Sequence, residues 1–171
     1  ANAKKNPNAQ TRTENFDKQT LETLNRKYKN SFGGQTRFSD CSQISDGASI
    51  LFIASEEYAR KYLSKTGKQL KDIAEISGIG FRVAELKFGD KVKKSAHDKY
   101  ILPWARQTIL DAFSKAKVTI DDINVIELHD CFSINEYVSI GNFGITEPGK
   151  EYTAVEGGLT QMGGKIPINP S

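Results

Sequence analysis

Cysteine and histidine are scarce in this chain of 171 residues, with two of each. Cys41 and Cys131 lie far apart, without a Cys-x-x-Cys pair or a Cys/His ligand spacing. A structural zinc site draws on about four ligands, so no metal centre is expected. A disulfide stays open but nothing demands one, and a reducing compartment suits this cysteine usage better. No run approaches the roughly 18 apolar residues of a membrane-spanning helix, so no membrane span is expected. Charge of one sign is also lacking: the net charge is +3, and the basic residues are scattered among acids. Nucleic-acid binders concentrate Lys and Arg on a stripe interleaved with aromatics, and without one nucleic acid is not an expected partner. Neither a signal peptide nor a repeat or low-complexity tract is visible. The chain opens at Ala1 without Met, which reads as a fragment edge where any targeting signal would be missing.

What the chain does have is an ordinary globular composition, 37% apolar and 26% charged, long enough for a domain with a core. Residues 1–40 read as a peripheral arm. It is irregular over 1–15, helical from Asp17 to about Tyr28, and broken by Gly33-Gly34. Residues 41–171 read as the main domain. Ser45-Asp46-Gly47 signals a turn. The almost unbroken apolar run Ala48–Ala54 that follows has the character of a strand covered on both faces. Ser55 then caps a helix with Glu56 and Glu57 in its first turn, running to about Ser64 and ended by Gly67. Asp72–Gly80 reads as a second strand, which completes a βαβ-like unit.

Residues 82–100 are charged and loop-like. Lys91, Lys93, Lys94 and His97 form a solvated face there, with phosphate contact by the lysines of 87–99 as the alternative. Pro103 suits a helix start, and Ala105, Ile109, Ala112, Phe113 and Ala116 make an apolar face. Asp121-Asp122 leads into a third strand, Ile123–Leu128, and Ser133 to about Ile140 can form a helix. After a Gly-rich loop, Lys165–Asn169 reads as a last strand, with Pro167 pointing to an edge or an irregular start. The expected fold class is α/β, a mixed sheet with covering helices.

The third strand ends in His129-Asp130-Cys131-Phe132, just before a helix. Ligands settle outside the carboxyl ends of strands in open α/β sheets, and a helix N-terminus favours a developing anion. His129 could donate a hydrogen bond to a carbonyl oxygen turning into an oxyanion. It also reads as a satisfied structural histidine. Asp130 reads as an N-cap or as a site residue, and Cys131 as a small buried apolar residue or as a thiol of lowered pKa. Asn135 and Glu136 lie one turn further on and could orient their neighbours. Cys41 reads as core or turn filler. Cys131 as the nucleophile of a thioester hydrolase, with His129 as base, is a further reading.

The stretch Ile126–Glu136, with His129-Asp130-Cys131-Phe132 at its centre, resembles the HDCF signature of the sterol-carrier-protein-type thiolases. Ser45-Asp46-Gly47-Ala48 resembles the opening of the thiolase second half, and Gly163–Ser171 (GGKIPINPS) the segment before its active-site loop. The resemblance implies a truncated thiolase C-terminal half, with residues 1–40 as the tail of the loop domain. It implies acyl transfer to CoA by thiolytic cleavage or Claisen condensation of 3-ketoacyl-CoA, with coenzyme A as substrate or product and no covalently bound cofactor. His129 would then polarise the thioester oxygen in the oxyanion hole, directly or through water. Asp130, Cys131, Phe132 and Asn135 would belong to the acyl and CoA pocket. A homodimer or homotetramer in a peroxisome or mitochondrion would follow from the same resemblance.

This sequence also departs from the family pattern. The family's nucleophilic Cys lies in the first half, and its Gly-His-Pro histidine and Cys-x-Gly cysteine come after the position of Ser171. The segment alone should therefore not turn over. It is expected to be part of a longer enzyme, and the alternative is a non-catalytic module that binds CoA or lipid.

Overall fold

The computed structural model describes residues 2–9 and 40–170, so the helix expected from Asp17 to Tyr28 lies outside the described residues. Among the described residues there are six α-helices: α1 Asn2–Lys5, α2 Glu56–Ser64, α3 Phe88–Ser95, α4 Pro103–Ala116, α5 Ser133–Phe143 and α6 Glu151–Glu156. Single 3₁₀ turns lie at Leu70–Asp72 and Ile120–Asp122.

Two of the helices begin where local chemistry dictates. Ser55 caps α2 by accepting the Tyr58 N–H at 3.2 Å, satisfying one of the orphan donors of a helix start. Pro103 opens α4 at a position where its missing N–H is harmless. Phe132 precedes α5 with extended backbone and no side-chain cap. Both α4 and α5 end in left-handed residues, Lys117 (φ 59°) and Gly144 (φ 82°). At each end the following amide bonds back five residues, Val118 to Phe113 O at 3.0 Å and Ile145 to Ile140 O at 3.1 Å. This is the Schellman arrangement.

The core sits beneath α5 and α6. Ile126, Ile140, Ala154, Ile166 and Ile168 are buried together, with Ile120, Ile123, Leu128, Phe143 and Ile145 packed around them. Phe113 meets Phe143 at 6.5 Å between ring centroids, joining α4 to α5. Arg106 adds a polar tie, donating from Nη1 to Asn142 O at 2.7 Å while its guanidinium lies over the Tyr100 ring.

β pairing is far sparser than the sequence suggests. Among the described residues no extended ladder forms, and pairing is confined to two isolated bridges, Cys41 with Phe132 (antiparallel) and Ile126 with Ile168 (parallel). The segment 165–169 lies between two neighbours. Ile166 and Ile168 donate to Leu159 O and Thr160 O, each at 3.0 Å. On the other side Ile126 donates to Pro167 O at 3.0 Å, and Asn169 donates to Ile126 O at 2.9 Å. Pro167, expected at an edge or irregular start, stands inside this pairing; having no N–H, it prevents the parallel bridge from extending backwards.

The other expected strands find no ladder partner among the described residues. Ile50, Leu51, Phe52 and Ile53, expected to be covered on both faces, are exposed, Phe52 at 93%. Apolar character signals that a run favours cover; extended backbone becomes sheet only when a neighbour offers its donors and acceptors. The segment containing Gly78 and Gly80 lies against α4 instead. A Cβ at Gly78 would overlap the carbonyl oxygen of Ala112, and one at Gly80 that of Thr108.

Three helices arise where irregular chain was expected. In α3, Asp90 in the first turn and Lys93 and Lys94 in the last complement the helix dipole, and high charge had disguised it as loop. In α6, Glu151 is buried among flanking glycines, its Oε1 accepting the Gly149 N–H at 3.1 Å. In α1, Asn2 grips the C-terminal loop: Nδ2 donates to Thr160 O (3.0 Å) and Ile168 O (2.5 Å), and Oδ1 accepts the Met162 N–H at 2.8 Å. Lys5 Nζ donates to Met162 O at 2.9 Å, so this part of the arm is fastened to the main domain.

Candidate functional site

The paired segment that carries buried Ile126 runs out at Leu128, and the chain then passes through residues 129–132 into α5. Two contacts frame this exit. On one side Ser42 N donates to Cys131 O at 2.9 Å, beside the Cys41–Phe132 bridge. On the other, Asn169 Oδ1 accepts the Leu128 N–H at 2.8 Å. The exit therefore occupies the carboxyl end of the paired segment and the mouth of a helix.

His129 is exposed there, neither packed into apolar surroundings nor buried. Phe132 is also exposed, at 46%. Cys131 is a free thiol and half-buried, and its Sγ accepts from Asn135 Nδ2 at 3.0 Å, one turn into the helix. Asn135 is itself fixed, its N–H donating to Phe132 O at 2.8 Å. Cys131 and Asn135 are thus brought together. Among the described residues no hydrogen bond joins His129 to Cys131, and the thiol's polar contact is with Asn135.

Asp130 is not the N-cap that the sequence allowed it to be, because Phe132 holds that place. Its carboxyl turns instead to Glu136, with which it shares a hydrogen bond. Asp130 Oδ1 is shielded from solvent and meets no N–H or O–H donor. Burial, then the Asp130 charge, then the bond between the two carboxyls push Glu136 up to about 7. Burial also raises Asp130, opposed by the bond from Glu136 and by the charge of His129. Below about pH 7 Glu136 therefore retains its proton beside Asp130. Sequence reading named Glu136 only as an orienting neighbour; an acid six residues from Asp130 has no helical periodicity to reveal the pairing.

A cleft of about 230 Å³ lies elsewhere, lined by Ile120, Asp121, Gly144, Ile145, Leu159, Lys165 and Ile166. It opens at the amino ends of the two paired segments, where Lys165 Nζ meets Asp121 Oδ1 at 2.7 Å. Among the described residues no group of His, Cys, Asp and Glu could hold a metal ion, and no helix is long and apolar enough to cross a membrane.

Residues 90–171 match the family described as thiolase C-terminal domain-like. The chain is 35% identical to acetyl-CoA acetyltransferase of Methanothermobacter thermautotrophicus over 138 residues, 79% of this chain and 32% of that protein. It is 33% identical to human sterol carrier protein 2 over 133 residues, 77% of this chain and 23% of that protein. It is 32% identical to the non-specific lipid-transfer protein-like 2 of Caenorhabditis elegans over 135 residues, 77% of this chain and 31% of that protein. The chain thus spans about a third or less of the length of these relatives. With the HDCF segment inside the matched region, residues 90–171 belong to the thiolase C-terminal domain-like family, and the chain has thiolase-like relatives along most of its length.

Proposed function

We propose that this chain supplies the oxyanion-stabilising part of a thiolase-type enzyme acting on acyl-CoA or 3-ketoacyl-CoA, with His129 as the donor to the thioester oxygen. The observation that carries the reading is the placement of His129, exposed at the carboxyl end of a paired segment beside a helix start with no side-chain cap. An imidazole N–H and the first-turn amides of α5 can there meet the same developing negative charge. The proton held between Asp130 and Glu136 serves this arrangement, because it keeps a second full negative charge from forming beside the oxyanion. Phe132, exposed, and Cys131, positioned by Asn135, form the adjoining wall of the acyl pocket in this reading. Coenzyme A is substrate or product, and a dimeric or tetrameric assembly in a peroxisome or mitochondrion belongs to the same proposal.

In the full-length protein, His129→Ala should lower kcat by about 10²–10³, the loss expected for one oxyanion donor. CoA affinity, measured by titration, should change little, because the bond matters chiefly in the transition state. Unaltered kcat would remove His129 from the role. A wild-type protein that binds CoA but exchanges no acyl group would favour the other reading, a CoA- or lipid-binding module, to which the sterol-carrier and lipid-transfer names of the relatives also point.

A further inference from the structure

Asn169 stands in left-handed backbone, φ 49°, and Lys117 is the other non-glycine residue described with positive φ. Its conformation explains an unusual hydrogen bond. In a parallel pair the ladder alternates regularly: Ile126 donates to Pro167 O, Asn169 donates to Ile126 O, and the Leu128 N–H would next meet the main-chain oxygen of residue 169. At positive φ the chain turns away before that bond can form. Asn169 Oδ1 takes the place of the carbonyl and accepts the Leu128 N–H at 2.8 Å. A side chain thus finishes what the main chain begins.

The partner residue gives this bond its importance. Leu128 immediately precedes His129, so a bond to its N–H fixes the backbone one residue ahead of the imidazole. The segment carrying Asn169 is well anchored: Ile168 is 1% exposed, donates to Thr160 O and accepts from Asn2 Nδ2. Ile126 on the facing segment is buried too. Two rigid neighbours are therefore joined across their last rung by one amide oxygen.

We propose that Asn169 is a positioning residue for His129, holding the Leu128 amide with its side-chain oxygen so that the imidazole faces the thioester. Its link to catalysis rests on the reading of His129 above. Few side chains meet both demands of the position. Asparagine and aspartate tolerate left-handed backbone and place an acceptor three bonds from Cα. Glycine takes the backbone but offers no acceptor, and alanine supplies neither.

The test compares Asn169→Gly, Asn169→Asp and Asn169→Ala in the full-length protein. Three quantities are read: kcat for acyl exchange, CoA affinity, and hydrogen exchange at the Leu128 amide together with the His129 ring signals by NMR. Asn169→Gly relieves the backbone, so it should fold, yet kcat should fall by about tenfold to a hundredfold, as for a misplaced catalytic group. CoA affinity should be unchanged, and the Leu128 amide should exchange about tenfold faster. Asn169→Asp should restore amide protection and the ring signals, with kcat within about fivefold of wild type. Asn169→Ala should be at least as impaired as Asn169→Gly. A glycine variant with wild-type kcat and Leu128 protection would overturn the proposal, as would an aspartate variant as impaired as glycine. If the wild-type protein exchanges no acyl group, the catalytic reading fails, while Leu128 exchange and the ring signals still decide whether Asn169 positions His129.

Discussion

Asp130 and Glu136 share a hydrogen bond across the first turn of α5, and the Oδ1 of Asp130 is buried without an N–H or O–H donor. Two carboxylates this close cannot both ionise without repulsion that a half-buried site screens poorly. The outcome is one acid and one base within six residues of sequence.

The proton makes stability depend on pH in a defined direction. Both carboxyls are raised above their ordinary values of 4.5 for Glu and 3.8 for Asp. Between those values and about 7, the folded chain binds more protons than the unfolded one. Stability is therefore full below the ordinary carboxylate range and declines as pH rises through this window. Urea unfolding should show a loss of about 1–2 kcal/mol between pH 5 and pH 7.5, the solvent-facing part of the pair screening the remainder. Glu136→Gln retains a donor toward Asp130 without titrating, and should flatten this dependence. A wild-type protein that grows more stable across the same interval would contradict the shared proton.

Gly80 governs how closely the extended segment approaches α4. A methyl group there would overlap Thr108 O, a backbone atom with little freedom to yield. Gly80→Ala should lower unfolding free energy by about 1–3 kcal/mol, as overpacking typically does. Gly47, with open space around its would-be Cβ, provides the control: Gly47→Ala should stay within about 0.5 kcal/mol. Equal effects at the two positions would show that contact with α4 is not what requires a glycine at 80.

Ile140 and Ile50 are the same residue type in opposite surroundings, one fully buried on α5 and the other 82% exposed. Ile140→Ala leaves a cavity among Ile126, Ile166 and Ile168, with an expected loss of about 2–5 kcal/mol. Ile50→Ala should change stability by less than about 0.5 kcal/mol. Chemical denaturation of both variants checks this, and a comparable loss at Ile50 would mean that the run 50–53 is covered in solution.

Sequence reading succeeded where a local signal sufficed. Ser55 and Pro103 announce α2 and α4 because a cap and an N–H-free first residue act on their own turn. The HDCF segment also precedes a helix as expected, though the strand expected before it is reduced to a single bridge at Ile126. It failed where the deciding contact is distant or masked by composition. The charges of α3 looked like loop, the glycines around α6 hid its buried Glu151, and apolar runs such as 48–54 looked like covered strands. The Asp130–Glu136 pair and the Asn169–Leu128 bond depend on φ and burial, which residue identity alone does not convey.

Pro167 and Asn169 bracket the Ile126–Ile168 bridge, the first by lacking a donor and the second by bending away. Short pairings between smooth strands can slip by two residues and keep the same faces inward. Here a slip in either direction would set the proline against a carbonyl or pull the asparagine from its amide. The segment's register is locked at both ends, and His129 can emerge at one depth only.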